Sequence, residues 1–165
     1  MISLQLIDPA NATLFKDVRR RALRDSPTAF SANYADEAKL TDSDWLDRAA
    51  QWSSDKSAAY LAIDSGAAVG IAAGILDRTN PLHANLMSMW VAPTHRRLGI
   101  GRILVDAIIS WARVHNVLHL DLMVTSNNDR AMQFYQRLGF TRTGRSQTYR
   151  NDASLLDYEM RRPLL

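Results

Sequence analysis

The sequence predicts an α/β (α+β) fold in which helices cover a mixed β-sheet. Apolar residues recur with a period of two in some segments and of 3.6 in others, and turn residues separate these segments. Hydrophobic residues make up 47% of the 165 positions and charged residues 22%, which is an ordinary globular composition. This length suits one domain with a substantial core and is too short to suggest two. We therefore expect a single domain over residues 1–165.

The N-terminal part of the chain predicts one strand followed by two helices. Residues 2–7 alternate apolar and polar side chains, as a half-buried strand does. Asp8-Pro9 then supplies an N-cap and a first-turn proline for a helix that runs to about Arg24 and stops before Pro27. A second helix begins at Thr41, whose hydroxyl can cap it.

The middle of the chain predicts three strands and a third helix. Residues 57–64 and 67–77 form a hairpin around Ser65-Gly66, and a strand at about 84–92 follows. A helix starts next to Gly101. Its apolar stripe is predicted to comprise Ile103, Leu104, Ala107, Ile108, Trp111 and Ala112.

The C-terminal part predicts a strand, a helix and two closing strands. Residues 117–124 alternate, and residues 128–138 have helical spacing that ends at Gly139. The closing strands lie at about 140–149 and 154–161. The whole order is strand, two helices, three strands, helix, strand, helix, two strands.

Composition and charge exclude several classes of function. The net charge of +3 is weak evidence for nucleic acid, and no basic reading helix or stacking platform stands out. The absence of Cys excludes disulfides, thiolate metal sites and a cysteine nucleophile, and we expect no metal site. The longest apolar run has ten residues, about half of the roughly 20 that a membrane helix needs. With no secretory signal recognised at the N-terminus, we expect a cytoplasmic protein with neither a nucleic-acid nor a membrane partner.

The loop before the third helix is the first candidate site. Gly99 and Gly101 remove side chains where a helix N-terminus exposes unpaired N–H groups, and such a terminus attracts phosphate. Arg96, Arg97 and Arg102 add positive charge around the same turn. The pattern therefore predicts a pyrophosphate cradle. Taken alone, two glycines favour the simpler reading of a tight strand-to-helix connection, and the spacing matches neither a Rossmann nor a P-loop fingerprint.

Two segments together resemble the GNAT superfamily of N-acetyltransferases. The first is Met89-Trp90-Val91-Ala92-Pro93 followed by Arg96-Arg97-Leu98-Gly99-Ile100-Gly101, which matches the family's Arg/Gln-x-x-Gly-x-Gly/Ala motif after a strand. The second matches the family's Asn-x-x-Ala-x-x-x-Tyr-x-x-x-Gly-Phe segment at Asn128, Ala131, Tyr135, Gly139 and Phe140. Either half alone matches easily by chance, whereas both in order across about 55 residues are a specific signal.

The resemblance implies a fold and a cofactor. The fold is a mixed, mostly antiparallel sheet of about seven strands with four flanking helices, splayed between the fourth and fifth strands. The cofactor is acetyl-CoA, used as a co-substrate, and a homodimer is common in such families. The residues implied to bind acetyl-CoA are Met89, Trp90, Val91, Arg96, Arg97, Leu98, Gly99, Ile100, Gly101, Arg102, Asn128 and Tyr135.

The resemblance also implies catalytic roles. The Val91 backbone N–H would polarise the thioester carbonyl, and Tyr135 would protonate the departing sulfur. Tyr135 also has the spacing of a residue that simply packs its helix on the sheet. Some family members carry a Glu as general base where this chain has Met123. Asp121, His119, Asp36 and Glu37 are nearby titratable candidates, and none is assigned as the base.

The leading hypothesis is an N-acetyltransferase that acts on a primary amine of a small molecule or a peptide by direct attack in a ternary complex. The alternative is a non-catalytic acyl-CoA-binding or sensing module of the same fold, which the Met at position 123 favours and Tyr135 opposes. A group of arginines near the end of the first helix either receives an anionic substrate or complements the helix dipole and faces solvent, and we favour the second reading. This group comprises Arg19, Arg20, Arg21 and Arg24.

Overall fold

A computed structural model describes all residues, 1–165, and seven strands form one sheet in the order β1-β2-β3-β4-β5-β7-β6. The strands are β1 (Ile2–Leu6), β2 (Ser57–Asp64), β3 (Ala67–Leu76), β4 (His83–Val91), β5 (His119–Thr125), β6 (Thr141–Thr148) and β7 (Leu156–Pro163). The helices are α1 (Ala12–Asp25), α2 (Tyr34–Glu37), α3 (Asp42–Trp52), α4 (Ile100–Val114) and α5 (Asp129–Arg137). Only the β4–β5 pair is parallel, so the predicted mixed and mostly antiparallel sheet is confirmed.

The predicted elements are all present, with ends displaced by a few residues. A 3-10 turn at Pro9–Asn11 precedes α1, so the Asp8 side chain caps that turn and α1 begins only at Ala12. Thr41 caps α3 in a reciprocal capping box with Asp44, as predicted. The sequence prediction missed α2, because a single helical turn is too short to produce a period.

Helices cover both faces of the sheet at β3. Residues 68–74 of this strand are buried in succession, with α1 and α4 both packed against it. Gly74 allows this approach of α4, since a Cβ there would lie 2.8 Å from the Trp111 ring. The predicted apolar stripe of α4 was wrong at Ile103, which is 42% exposed. Ile100, Val105 and Ile109 are buried instead, because the buried face is rotated from the predicted one.

The sheet opens between β4 and β5. These strands pair only at His83–Asn85 with His119–Asp121, which leaves residues 86–91 and 122–125 unpaired with each other. Ile71 of β3 pairs with Trp90 of β4, and Ala73 pairs with Met87. Between these two pairs β3 advances by two residues and β4 by three, so β4 contains one extra residue, a β-bulge. Ser88 lies in this bulge with a φ of 58°. The predicted splay between the fourth and fifth strands is thus present in the structure.

Candidate functional site

The loop before α4 presents unpaired backbone donors to the open side of the sheet. Arg97 and Gly99 have φ values of 65° and 81°, and Gly99 is the N-cap residue of α4. No side chain caps this helix, and its first α-helical bond runs from the Ile103 N–H to the Gly99 carbonyl at 3.2 Å. The N–H groups of Ile100, Gly101 and Arg102 therefore have no intrahelical acceptor and are available to an anion.

A cleft of about 720 Å³ opens at this loop, and we call it the α4 cleft. Five arginines line it, together with no Asp or Glu, so its electrostatics favour a polyanion. The arginines are Arg96, Arg97, Arg102, Arg130 and Arg137. Gly101 lines this cleft close to two other lining residues, since a Cβ there would be 3.0 Å from Phe134 Cζ and 3.1 Å from Met89 Cε.

The structure brings together eleven of the twelve residues that the sequence implied for cofactor binding. The exception is Leu98, which is 66% exposed and does not line the α4 cleft. The eleven are Met89, Trp90, Val91, Arg96, Arg97, Gly99, Ile100, Gly101, Arg102, Asn128 and Tyr135. Their roles toward a ligand stay predictions.

Asp25 ties the end of α1 to this loop. Its carboxylate accepts a hydrogen bond from Trp90 Nε1 at 2.9 Å and forms an ion pair with Arg96. Burial raises the pKa of Asp25, but hydrogen bonds from Trp90, Ser26 and Arg96 outweigh burial and leave its pKa below the usual range. Arg96 also donates from Nε to the Val91 carbonyl at 2.9 Å. Arg96 is thus held in place by the protein, whereas Arg97 forms no ion pair.

The backbone N–H of Val91 faces the open side of β4. The Ala92 N–H donates to the Val69 carbonyl at 2.8 Å, and Val91 is the register partner of Gly70. Because the backbone groups of successive residues point to opposite sides of a strand, the Val91 N–H and carbonyl point away from β3. This is the edge from which β5 has diverged.

Tyr135 lies beside the opening between β4 and β5, which we call the gap. The residue is 8% exposed, its ring packs edge-on against Phe140, and its hydroxyl has no hydrogen-bond partner in the chain. Burial raises the pKa of the Tyr135 hydroxyl well above its usual range, so the phenol keeps its proton at neutral pH. The Asn128 carboxamide oxygen caps α5 by accepting from the Ala131 N–H at 3.2 Å. This bond leaves the Asn128 amide NH₂ available to the α4 cleft.

A second cavity of about 390 Å³ lies on the other side of Tyr135, and we call it the β5 cavity. The two spaces share lining residues at the gap, including Met89, Asn128 and Tyr135. The β5 cavity is otherwise mostly apolar, with Phe30, Trp52 and Met123 among its walls. Two ligands entering from opposite sides would therefore meet beside the Tyr135 hydroxyl.

The titratable candidates named from the sequence do not supply a free base. Glu37 is buried and paired with Arg19 Nε at 3.1 Å and Arg48 Nη1 at 2.7 Å. Asp121 lies at the closed end of the β4–β5 pair, where it accepts two hydrogen bonds from Arg161. Neither carboxylate lines the α4 cleft or the β5 cavity, and the same is true of Asp36 and His119.

The arginines of α1 only partly form a solvated face. Arg24 is exposed in the last turn of the helix, as the reading we favoured expects, but that reading was wrong for Arg19. Arg19 is mostly buried, binds Glu37, and donates to the Ser88 hydroxyl in the β4 bulge at 3.1 Å. Arg20 and Arg24 donate to the Tyr34 hydroxyl, and Arg21 donates to the Ala68 carbonyl. They join α1 to α2 and the sheet because each has an acceptor within reach of its long side chain.

Sequence reasoning missed several residues that line the two spaces. Arg130 and Arg137 line the α4 cleft from α5, and their seven-residue spacing on a helix was a usable signal. Asp157 lines the β5 cavity from β7. No local pattern marks this residue, because its place follows from the pairing of β7 with β5 and β6.

The acetyltransferase (GNAT) family matches residues 18–140 of the chain. The N-alpha-acetyltransferase RimI of Mycobacterium tuberculosis is 33% identical over 105 residues, which are 62% of this chain and 65% of that protein. A streptothricin acetyltransferase of Streptomyces lavendulae is 43% identical over 65 residues, 39% of this chain and 34% of that protein. The chain thus matches less than two thirds of the length of either relative.

The fold is also that of known acetyltransferase structures. The structure of yncA from Salmonella typhimurium, described as a putative acetyltransferase with its cofactor acetyl-CoA, matches with a TM-score of 0.82 and 18% identity. The match covers all of this chain and 95% of that one. None of the helices combines the length and apolar character that crossing a membrane requires.

Proposed function

The chain belongs to the acetyltransferase (GNAT) family, and on that premise we propose that it transfers the acetyl group of acetyl-CoA to a primary amine. The amine belongs to a small molecule or a peptide and attacks directly in a ternary complex. The observation that carries this proposal is the meeting of the α4 cleft and the β5 cavity at Tyr135. Direct transfer requires both substrates to reach one point from separate entrances.

The α4 cleft fits acetyl-CoA in shape and charge. The free N–H groups at the start of α4 suit a pyrophosphate, and the five arginines favour its negative charge. The unpaired edge of β4 offers backbone groups to the amide-containing pantetheine arm, as an added strand would use them. Acetyl-CoA supplies the activated acetyl thioester at the gap.

The residues at the gap have the properties that acyl transfer needs. The Val91 N–H, directed into the opening, polarises the thioester carbonyl and stabilises the negative charge that develops on its oxygen. Tyr135, protonated because burial raises its pKa, donates its proton to the departing sulfur. The amide of Asn128 contacts the cofactor at the start of α5.

The experiment incubates the protein with acetyl-CoA and separate pools of amines, and follows free thiol with a chromogenic reagent. The pools are amino acids, polyamines, aminoglycosides, aryl-alkylamines and short peptides. Because the chain contains no Cys, it adds no thiol of its own. We expect thiol release with at least one pool and an increase in melting temperature with acetyl-CoA alone.

The second candidate is a non-catalytic acyl-CoA-binding module, which one observation favours. Met123, which is 46% exposed and lines the β5 cavity, lies where the resemblance implies a Glu as general base in some family members, and its thioether cannot take that role. If acetyl-CoA raises the melting temperature while every pool releases no thiol above background, the enzyme proposal fails and the binding module replaces it.

A further inference from the structure

The β5 cavity contains a single carboxylate, Asp157, and that carboxylate has no cationic partner. Asp157 forms no ion pair in the structure. Arg19 is the other charged residue of the lining, and its guanidinium already bonds Glu37 and Ser88. Asp157 is therefore the one carboxylate of the lining, and no cation of the chain pairs with it.

The neighbours of Asp157 across the sheet are neutral. Asp157 pairs with Thr125 of β5 on one side and Gln147 of β6 on the other. The Thr125 hydroxyl donates to the Thr28 carbonyl at 3.1 Å, and the nearby Tyr149 hydroxyl donates to the Phe30 carbonyl. Burial raises the pKa of Asp157, and the Gln147 amide offsets part of that rise. A half-buried carboxylate in these surroundings gains from a cation that enters the cavity.

Twelve of the twenty residues that line the β5 cavity are hydrophobic, and the polar ones other than Asp157 and Arg19 are uncharged. The hydrophobic ones include Phe30, Trp52, Leu86, Met87 and Met123, and the volume of about 390 Å³ lies in the usual range for small-ligand sites. A second or third cationic group on a ligand would find no further carboxylate here. The cavity thus matches one ammonium group attached to an apolar body.

We propose that Asp157 binds the ammonium group of the acceptor, and that this acceptor is a monocationic primary amine with an apolar body. The inference rests on the proposed acetyltransferase function and specifies its acceptor side. Asp157 then accepts the proton that the ammonium must lose before it attacks, a role that the thioether of Met123 cannot fill.

Asp157 and Tyr135 together account for both protons that the ammonium nitrogen loses during the transfer. The carboxylate of Asp157 takes one proton from the ammonium and passes it to solvent. The neutral amine nitrogen forms a bond to the acetyl carbon while the carbon–sulfur bond breaks. Tyr135 gives its proton to the sulfur, and the second proton lost by the nitrogen restores the phenol. The products are the amide, the free thiol and one released proton.

The other acidic residues near this face are occupied. Glu37 is held by two arginines, and Asp121 by Arg161 and His83. Glu159 accepts from the Thr143 hydroxyl at 2.9 Å and lies 3.8 Å from Arg161. None of these three lines the β5 cavity. Asp157 is the carboxylate there that remains available to a ligand.

The test compares wild type, Asp157→Asn, Asp157→Glu and a matched control, Asp47→Asn. Asp47 is exposed on α3, makes no ion pair and lines neither space, so its substitution removes one negative charge elsewhere. The amine probes are 2-phenylethylamine, isoamylamine, leucinamide, spermidine and an aminoglycoside. Thiol release is followed for each from pH 6 to pH 10.

We expect wild type and Asp47→Asn to prefer the monocationic apolar amines. Asp157→Asn should lower kcat/KM at neutral pH by about 10²-fold, the scale of a lost proton acceptor. Its deficit should shrink as pH approaches the pKa of the amine, where the neutral amine is already present. Asp157→Glu should restore part of the rate, whereas a purely structural effect would not depend on the protonation state of the amine.

The outcomes separate this inference from the function on which it rests. The acetyl-CoA affinity of Asp157→Asn should equal that of wild type, since Asp157 does not line the α4 cleft. If wild type acetylates an amine but Asp157→Asn stays within about twofold at every pH, or if only spermidine or the aminoglycoside is acetylated, the Asp157 inference is wrong and the enzyme stands. If wild type releases no thiol with any amine, the proposed function itself fails.

Discussion

Glu37, a candidate for the general base in the sequence, instead stabilises the fold. Its carboxylate is buried between Arg19 of α1 and Arg48 of α3. Arg19 also donates a hydrogen bond to the Ser88 hydroxyl in the bulge of β4. Ser88 has a positive φ without being glycine, a conformation that requires support from its surroundings. Glu37 thus indirectly supports the edge of β4 on which the site depends.

Replacing Glu37 by Gln should therefore destabilise the protein strongly. The substitution leaves two arginines without their carboxylate, and breaking a buried pair costs about 3–5 kcal/mol. We expect about 3 kcal/mol, at the low end of that range, because the Arg48 side chain is 40% exposed. Denaturant unfolding measures the change.

Asp17→Asn is the matched control for Glu37→Gln. It breaks the exposed Arg21–Asp17 pair on α1, and such pairs contribute about 0–1 kcal/mol. Equal effects of the two substitutions on the free energy of unfolding would contradict the structural role given to Glu37.

Asp121 should make the stability of the protein dependent on pH in acid. Burial raises its pKa, but hydrogen bonds from Arg161 and His83 outweigh burial and leave the folded pKa below the unfolded value of about 3.9. A lowered folded pKa gives stability that is fully present above the unfolded pKa and is lost as pH falls through the folded pKa. Asp121→Asn should therefore melt below wild type at pH 7.

The difference in melting temperature between wild type and Asp121→Asn should narrow below about pH 4 as the wild-type carboxylate is protonated. Asp42→Asn, which breaks the exposed Lys16–Asp42 pair, should show little change at either pH. If the difference in melting temperature between Asp121→Asn and wild type stays constant down to pH 2, the Asp121 carboxylate does not titrate as described.

At the scale of elements, local signals in the sequence identified the turns and caps well. Ser65 and Gly66 have φ values of 51° and 83°, as the tight hairpin turn requires, and Gly139 has a φ of 89° after α5. Thr41 and Asp44 form the expected capping box. These features were predictable because each depends on residues that are close in sequence.

Other element-scale features left no local signal. Nothing in the sequence around Ser88 predicts the β4 bulge, since its conformation is supported by Arg19, 69 positions away. The exposure of Ile103 follows from how α4 rotates to place Leu104 and Ile108 on the glycines of β3. Both depend on long-range packing, which periodicity alone does not encode.

Gly101→Ala should weaken acetyl-CoA binding. The added Cβ would lie 3.0 Å from the Phe134 ring and 3.1 Å from Met89, so both side chains must move within the α4 cleft. We expect at least about a tenfold increase in the Kd of acetyl-CoA, or about 1.4 kcal/mol. Titration calorimetry measures it directly.

Gly74→Ala separates the effect on the cleft from a general effect on packing. Its Cβ would lie 2.8 Å from Trp111 and 2.9 Å from Ile108, on the buried side of α4. Overpacking there should lower the free energy of unfolding by about 1–3 kcal/mol while acetyl-CoA affinity stays near that of wild type. The reverse assignment, with Gly74→Ala affecting affinity and Gly101→Ala only stability, would contradict the position of the cleft.

At the scale of the whole molecule, the site results from how the strands pair. The parallel contact of β4 with β5 ends after three residues, and the two spaces that meet at Tyr135 lie along the resulting gap. Local patterns gave the strands but not their order, so the gap could be anticipated only through the resemblance of the two motifs. The position of Asp157 in the β5 cavity could not be predicted from the sequence, because it depends on the pairing of β7 with β5, which no local pattern indicates. The homodimer and the cytoplasmic location stay predictions.

The central claim is that Tyr135 protonates the sulfur that leaves acetyl-CoA at this gap. The most direct measurement is the kcat of thiol release for wild type, Tyr135→Phe and the control Tyr158→Phe, with the amine that the pools identify. Tyr158 is a half-buried tyrosine of β7 that stacks with Arg142 and lines neither space. We predict that Tyr135→Phe lowers kcat by about 10²-fold or more, while Tyr158→Phe keeps nearly the wild-type rate. A Tyr135→Phe variant within about twofold of wild type would contradict the account and leave Tyr135 as a packing residue.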